Sequence, residues 1–262
     1  MEDRKGSMVD NMRRCDEIPD STIVPVAAGA PRRSMRETFT RIYESRVPAP
    51  VDNGTTGNDT ESCSGTGSNL AQTAAVRTEL PALVADLGVS SFLDVPCGDL
   101  FWISTIELGV DAYLGADIVP GLIERNRDRF AHSNREFRVI DLTRDQLPRV
   151  DLIFCRDCLV HLHDEDVHRA LANIKRSGST FLAMTTFTER TENADVIETG
   201  AWRPLNFQLA PFRLPEPFRL INERCTEVDV TTENGVRVEH RYADKSIGVW
   251  RIAEIPTATS PT

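Results

Sequence analysis

Ser91-Phe92-Leu93-Asp94-Val95-Pro96-Cys97-Gly98-Asp99 is the stretch whose reading decides the fold. Phe92, Leu93 and Val95 make a short apolar run, and Pro96 and Gly98 end it abruptly. That is the pattern of a buried strand that stops in a tight turn. In an open parallel sheet the carboxyl end of a strand is where ligands bind, in the crevice where strand order reverses. Asp94 and Asp99 flank the turn, which holds one glycine and no lysine. A phosphate-binding turn favours several glycines, often with a lysine, so this one suits a small molecule met by acids and backbone N–H groups.

Downstream of the turn, strand and helix patterns alternate. Strands are expected over 112–118, 136–140, 151–155 and 180–187, and apolar residues at helical spacing fall between them: Phe101 to Ile106, Leu122 to Phe130, and Val167 to Ile174 with Gly178 placed to end the helix. The alternation implies right-handed βαβ units and a doubly wound, Rossmann-like α/β sheet. Two late strands follow, around 218–222 and 246–255. Between them, 227–238 alternates like an added hairpin turning at Asn234-Gly235. Residues 188–217, with Pro204, Pro211, Pro215 and Pro217, break the rhythm. A long irregular segment inside a domain is usually a lid or a substrate loop.

Upstream, Phe39, Ile42 and Tyr43 predict a short helix from Ser34 to about Arg46, and 47–61 reads as a loop. Gly65 and Gly67 stand among small hydroxyl residues. They suit either a close approach to a ligand or a plain linker. A helical set from Leu70 to Leu87 carries Pro81, which is expected to kink or divide it. The resulting layout is a disordered arm over 1–34, one domain over 35–255 with an amino-terminal helical cover (35–88) and a Pro-rich insertion (188–217), and a disordered tail over 256–262.

The chain has 262 residues, 40% hydrophobic and 27% charged, with a net charge of −10. This acidity disfavours nucleic acid as a partner, since sequence-independent binding to it needs cationic surface. No apolar run approaches the ~20 residues of a membrane helix. The first residues lack the apolar core of a secretory signal, so a cytoplasmic location is expected. The six cysteines (15, 63, 97, 155, 158 and 225) are scattered and read as reduced thiols. Nothing in the sequence fixes an oligomeric state.

Acids close the first three strands: Asp94, Asp117 and Asp141. Asp117 follows Asp94 at roughly the 20-residue spacing at which a Rossmann-like unit places an acid on a ribose diol. A carboxylate suits that place because it accepts from both hydroxyls. Together, Leu93-Asp94-Val95-Pro96-Cys97-Gly98-Asp99, Gly115-Ala116-Asp117, Ile140-Asp141-Leu142 and Cys155-Arg156-Asp157 resemble the motif series of class I S-adenosylmethionine-dependent methyltransferases, over about residues 90–190. The family's first motif usually reads acid-x-Gly-x-Gly. Here Pro96 replaces the first glycine, as in a bacterial Asp-x-Pro-Cys-Gly-Asp variant that this chain also resembles in Ser64-Gly65-Thr66-Gly67-Ser68 and Trp202-Arg203-Pro204-Leu205-Asn206.

The resemblance implies S-adenosylmethionine as cofactor and a small-molecule acceptor methylated on oxygen or nitrogen, such as a sugar or natural-product intermediate. It places Pro96, Cys97 and Gly98 at the methionine part, with Asp94 or Asp99 at its amino group. Asp117 and Ile118 then take the ribose, and Asp141 and the Leu142 N–H the adenine. Trp102 and Arg156 complete the set. Gly65, Thr66, Gly67 and Ser68 fold over the cofactor, joined by Tyr43, which with Trp202, Arg203 and Asn206 also makes the acceptor side. Trp202 and Arg203 suit either a polar acceptor or the anchoring of their loop. For Phe207 and Phe212, anchoring is the expectation.

Rival readings use the same residues. A nicotinamide enzyme shares the fold and the ribose acid but needs a glycine-richer turn, and Asp99 opposes a diphosphate. A non-catalytic ligand-binding protein shares the fold alone. Cys155 and Cys158, with Cys97, His161 and His163, invite a metal. No metal is expected, because Cys155 looks like core and a structural zinc needs four ligands. For the chemistry, Asp157 ends the fourth strand and His161 follows about a helical turn later. By the family resemblance that strand end faces the methyl-transfer region. A histidine titrates near 6.5, which suits a general base, so His161 is the candidate base and Asp157 its orienting partner. The alternative is that His161 packs or caps a helix start. His163 and His168 rank lower, as residues facing solvent.

Overall fold

A computed structural model describes residues 33–47, 62–233 and 236–256. The expected arm, apart from residues 33 and 34, lies outside them, as do most of the 47–61 loop, the Asn234-Gly235 turn and the tail beyond 256. From Ser34 on, the described residues belong to one unit. Helix α1 (Met35–Arg46) starts at a capping box in which Ser34 Oγ accepts from the Glu37 N–H and the Glu37 carboxylate accepts from the Ser34 N–H. Helix α2 (Ala74–Asp86) contains Pro81 and is not divided by it. Its buried face of Val76, Leu80, Leu83 and Val84 explains this. At about 1.5–3 kcal/mol per buried side chain, that face outweighs the roughly 3 kcal/mol an interior proline costs.

The strands follow as β1 (Ser91–Asp94), β2 (Ala112–Asp117), β3 (Arg135–Val139), β4 (Leu152–Cys155), β5 (Phe181–Phe187), β6 (Arg219–Asn222), β7 (Val228–Glu233), β8 (Val236–Arg241) and β9 (Lys245–Arg251). Helix α3 (Pro120–Phe130) lies between β2 and β3, and α4 (Asp164–Arg176) between β4 and β5. The expected helix at Phe101–Ile106 is only a 3₁₀ turn over Ile103–Thr105.

Among the described residues, one sheet has the order β3-β2-β1-β4-β5-β9-β6. The first five strands pair in parallel, and β9 runs antiparallel between β5 and β6. Strands β7 and β8 form the separate hairpin expected from the sequence. Side chains alternate across the sheet. Phe92, Leu152 and Phe154 enter the layer under α2 and α3, whereas Leu93, Ile153 and Cys155 enter the layer under α4. Strand order reverses between β1 and β4, which puts a crevice at their carboxyl ends.

Residues 188–217 form no helix or strand, yet they are not loose. Leu205, Phe207, Phe212 and Leu214 are buried in the α4-side layer, and Trp250 Nε1 donates to Pro215 O at 2.7 Å. Among the described residues no helix is long and apolar enough to cross a membrane.

Candidate functional site

A cavity of about 190 Å³ opens at the carboxyl ends of β1, β2 and β4. The turn after β1 forms its floor. The Val95–Pro96 peptide is cis, and Gly98 has a φ of +54°. Gly98 N–H donates to Asp117 Oδ2 at 3.3 Å, and its carbonyl accepts from Asn126 Nδ2 at 2.7 Å. A Cβ here would lie 2.5 Å from Ser64 Oγ, so the position has no room for a side chain.

Asp94 and Asp117 are both buried at this floor. Asp94 accepts from Tyr113 Oη at 2.5 Å, and Asp117 Oδ1 accepts from the Val119 N–H at 3.0 Å. Burial pushes the Asp94 carboxyl up to about 7 despite the Tyr113 hydrogen bond. Burial likewise pushes Asp117 up to about 6 against its backbone hydrogen bonds. Two buried acids short of compensating charge are prepared to receive hydroxyl or ammonium donors from a ligand.

The segment over this floor is held by its neighbours. Asp99 accepts from Ser62 Oγ at 3.0 Å, from the Cys63 N–H at 2.6 Å and from the Phe101 N–H at 3.2 Å, while its own N–H donates to Ser64 Oγ at 3.0 Å. On the β4 side, Arg156 Nη2 donates to Gly67 O at 2.8 Å and to Glu223 at 2.6 Å. A Cβ on Gly67 would lie 3.2 Å from Asp157 Oδ2 and 3.3 Å from Lys245 Nζ. A side chain there would press on the Asp157–Lys245 pair.

Asp157, at the end of β4, lines the cavity and has a φ of +50°. Burial opposes its charge, but Lys245 at 2.7 Å and Arg156 at 3.1 Å outweigh burial and hold the carboxyl at about 2. His161 also lines the cavity, and its Nδ1 lies 3.3 Å from Ala201 O. A carbonyl only accepts, so Nδ1 is the donor in that contact.

The lining brings together most of the residues expected from the sequence: Tyr43, Ser68, Asp94, Pro96, Cys97, Gly98, Asp99, Trp102, Asp117, Ile118, Leu142, Arg156, Asp157 and His161. Gly65, Thr66 and Gly67 lie in the adjoining segment. Asp141 stays off the lining. Its Oδ1 accepts from the Thr143 N–H and Oγ1, closing its own turn, while Leu142 and Thr143 face the cavity.

Trp202, Arg203 and Asn206 are not among the residues lining this cavity. Trp202 packs edge-on against Phe187 and Tyr242. Arg203 is buried and donates to Leu162 O at 2.5 Å and Asp164 at 2.7 Å. Asn206 donates to Thr188 O and Arg190 O. All three brace the 188–217 segment, from which Gly200 does reach the lining.

Glu223, Lys245, Ser62 and the apolar side of α1 (Met35, Phe39, Ile42) were not foreseen. Lys245 had one sequence signal, a lone cation heading the apolar run of the last strand. Among the described residues, no group of three or more His, Cys, Asp or Glu is arranged for a metal ion.

Residues 92–178 match a family model described as a methyltransferase domain. A search of curated proteins finds no match. Among solved structures, the chain is similar to an N-methyltransferase, NodS, from Bradyrhizobium japonicum in complex with S-adenosylhomocysteine, at 16% identity over 59% of this chain and 74% of that one (TM-score 0.44). It is similar to a phosphoethanolamine N-methyltransferase from Haemonchus contortus at 19% identity over 66% of this chain and 38% of that one (TM-score 0.43). A bacterial methyltransferase domain aligns at 14% identity over 45% of this chain and 66% of its own length (TM-score 0.39). The chain thus spans two thirds or less of two of these proteins. Residues 92–178 thus resemble a methyltransferase domain, and they carry β2 to β4, nearly all of β1 and the crevice at which the cavity opens.

Proposed function

We propose that the protein moves a methyl group from S-adenosylmethionine to an oxygen or nitrogen of a small-molecule acceptor, within a domain over 35–255 whose 35–88 part covers the cofactor. The observation that carries this reading is the pair of buried acids, Asp94 and Asp117, set around a glycine turn with no space for a side chain. The donor chemistry fits the cofactor. Asp117 would accept from the ribose hydroxyls. Asp94 would face the amino group, and Gly98 lets the backbone come close. Leu142 and Ile118 would flank the adenine, with Asp141 shaping the Leu142 turn from behind. Ser64 to Ser68 and Tyr43 would close over the ligand.

When bound, S-adenosylmethionine would supply an electrophilic methyl on a sulfonium, with a neutral thioether as the leaving group. The protein's own task is alignment and proton transfer. His161 Nε2 takes the proton of an acceptor hydroxyl. Asp157 is too weak a base at about 2 and serves as a fixed charge beside the acceptor and His161. Thermal unfolding in the presence of ligands tests the reading. S-adenosylhomocysteine should raise the midpoint in proportion to the logarithm of its concentration, and NAD should not. A shift with NAD alone would favour the nicotinamide alternative.

A further inference from the structure

We infer that the acceptor is an uncharged alcohol with an apolar, ring-sized body, of the phenol or naphthol kind. The inference rests on the methyl-transfer reading above. The lining of the same cavity also includes Met35, Phe39 and Ile42 of α1, with Cys158 and Leu162 of the segment after β4. Gly200 joins this wall to the proposed base. Its N–H donates to His161 O at 2.9 Å, and a Cβ on it would lie 2.8 Å from Ile42 Cδ1. An acceptor that reaches His161 therefore lies along the apolar side of α1.

Charge narrows the class further. Asp94, Asp99, Asp117 and Asp157 line the cavity. Among the described lining residues the cations are the exposed Arg46 and the buried Arg156, and Arg156 is already paired with Glu223 and Asp157. A phosphate or carboxylate on the acceptor would enter among acids with its desolvation uncompensated. An amine would enter as its ammonium beside Asp157, with its lone pair blocked by the proton. An uncharged hydroxyl meets neither obstacle, and it needs the proton acceptor that His161 provides.

Calorimetry on the protein saturated with S-adenosylhomocysteine tests this, with 2-naphthol, 2-naphthyl phosphate and 2-naphthoate as probes. The expected result is 2-naphthol binding at least ~10-fold more tightly than either anion, from the uncompensated burial of their charge. Phe39→Ala should weaken 2-naphthol about fivefold or more through lost apolar contact. Phe39→Lys should gain affinity for 2-naphthyl phosphate, a gain that misfolding cannot mimic. Equal or tighter binding of the anions to the wild type would overturn the inference, as would no binding of 2-naphthol or indifference to both Phe39 variants. Failure of S-adenosylhomocysteine itself to bind would instead overturn the methyl-transfer reading, and the acceptor inference with it.

Discussion

Asp117 sits under opposing influences: burial disfavours its charge, and the N–H groups of Val119 and Gly98 favour it. Burial wins, and the same holds for Asp94. A ligand that brings hydroxyl and ammonium donors binds the charged forms. Affinity for S-adenosylhomocysteine should therefore be flat above about pH 7 and fall as pH drops through 7 to 6, and the fall should vanish in Asp94→Asn/Asp117→Asn; titrations across that range check it. His161 makes a separate prediction. His161→Ala should lower turnover by ~100-fold or more while leaving cofactor affinity intact, as loss of a general base does. Full turnover in that variant would leave alignment alone to carry the reaction. The acids were legible because a strand end followed by an acid is a local pattern. Glu223 and Lys245 were not, because they meet Arg156 and Asp157 only after the sheet brings β4, β6 and β9 together. Trp202 and Arg203 stayed open for a related reason: an aromatic ring beside a cation reads the same whether it packs or binds.

At the scale of elements, the segment from Ser62 to Ser68 behaves as a strap held at two points, Asp99 on one side and Arg156 on the other. Its glycines were visible in the sequence, but a linker reading fitted them equally well. The carbonyl of Gly67 and the N–H of Cys63 acquire partners only in the fold. If the strap covers the cofactor, proteolysis near Gly65 and Gly67 should slow when S-adenosylhomocysteine is added. Asp99→Ala should speed it, because the hydrogen bonds to Ser62 and Cys63 are lost. Equal cutting rates in all three samples would return the segment to a linker. Gly98→Ala should disturb the same strap, both through its φ of +54° and through the clash with Ser64 Oγ. Helix α2 shows the opposite case, where a local rule about proline yields to four buried side chains.

For the whole molecule, the alternation of short apolar runs with helical sets was enough to give the parallel α/β sheet and the late hairpin, since period and turn residues are properties of the chain itself. Where the 188–217 segment would lie was not, because its prolines and aromatics do not say which layer receives them. Stability should carry the mark of the two raised acids. Their folded values of about 7 and 6 exceed an ordinary 3.8. The folded state thus binds more protons than the unfolded one between these values. The stabilisation is complete below about 3.8 and is lost as pH rises through 6 to 7. The urea midpoint of the ligand-free protein should be higher at pH 5.5 than at pH 8, and the difference should shrink in Asp94→Asn/Asp117→Asn, which keeps the rest of the net charge as a control. The central claim, that buried acids around the Gly98 turn hold S-adenosylmethionine, is tested most directly by calorimetry of that cofactor with the wild type and with Asp117→Ala. The account predicts one saturable site, weakened in the variant by about 1.5–3 kcal/mol, the usual cost of losing a charge-assisted hydrogen-bond partner. Undiminished affinity in Asp117→Ala, or no binding to the wild type, would contradict it.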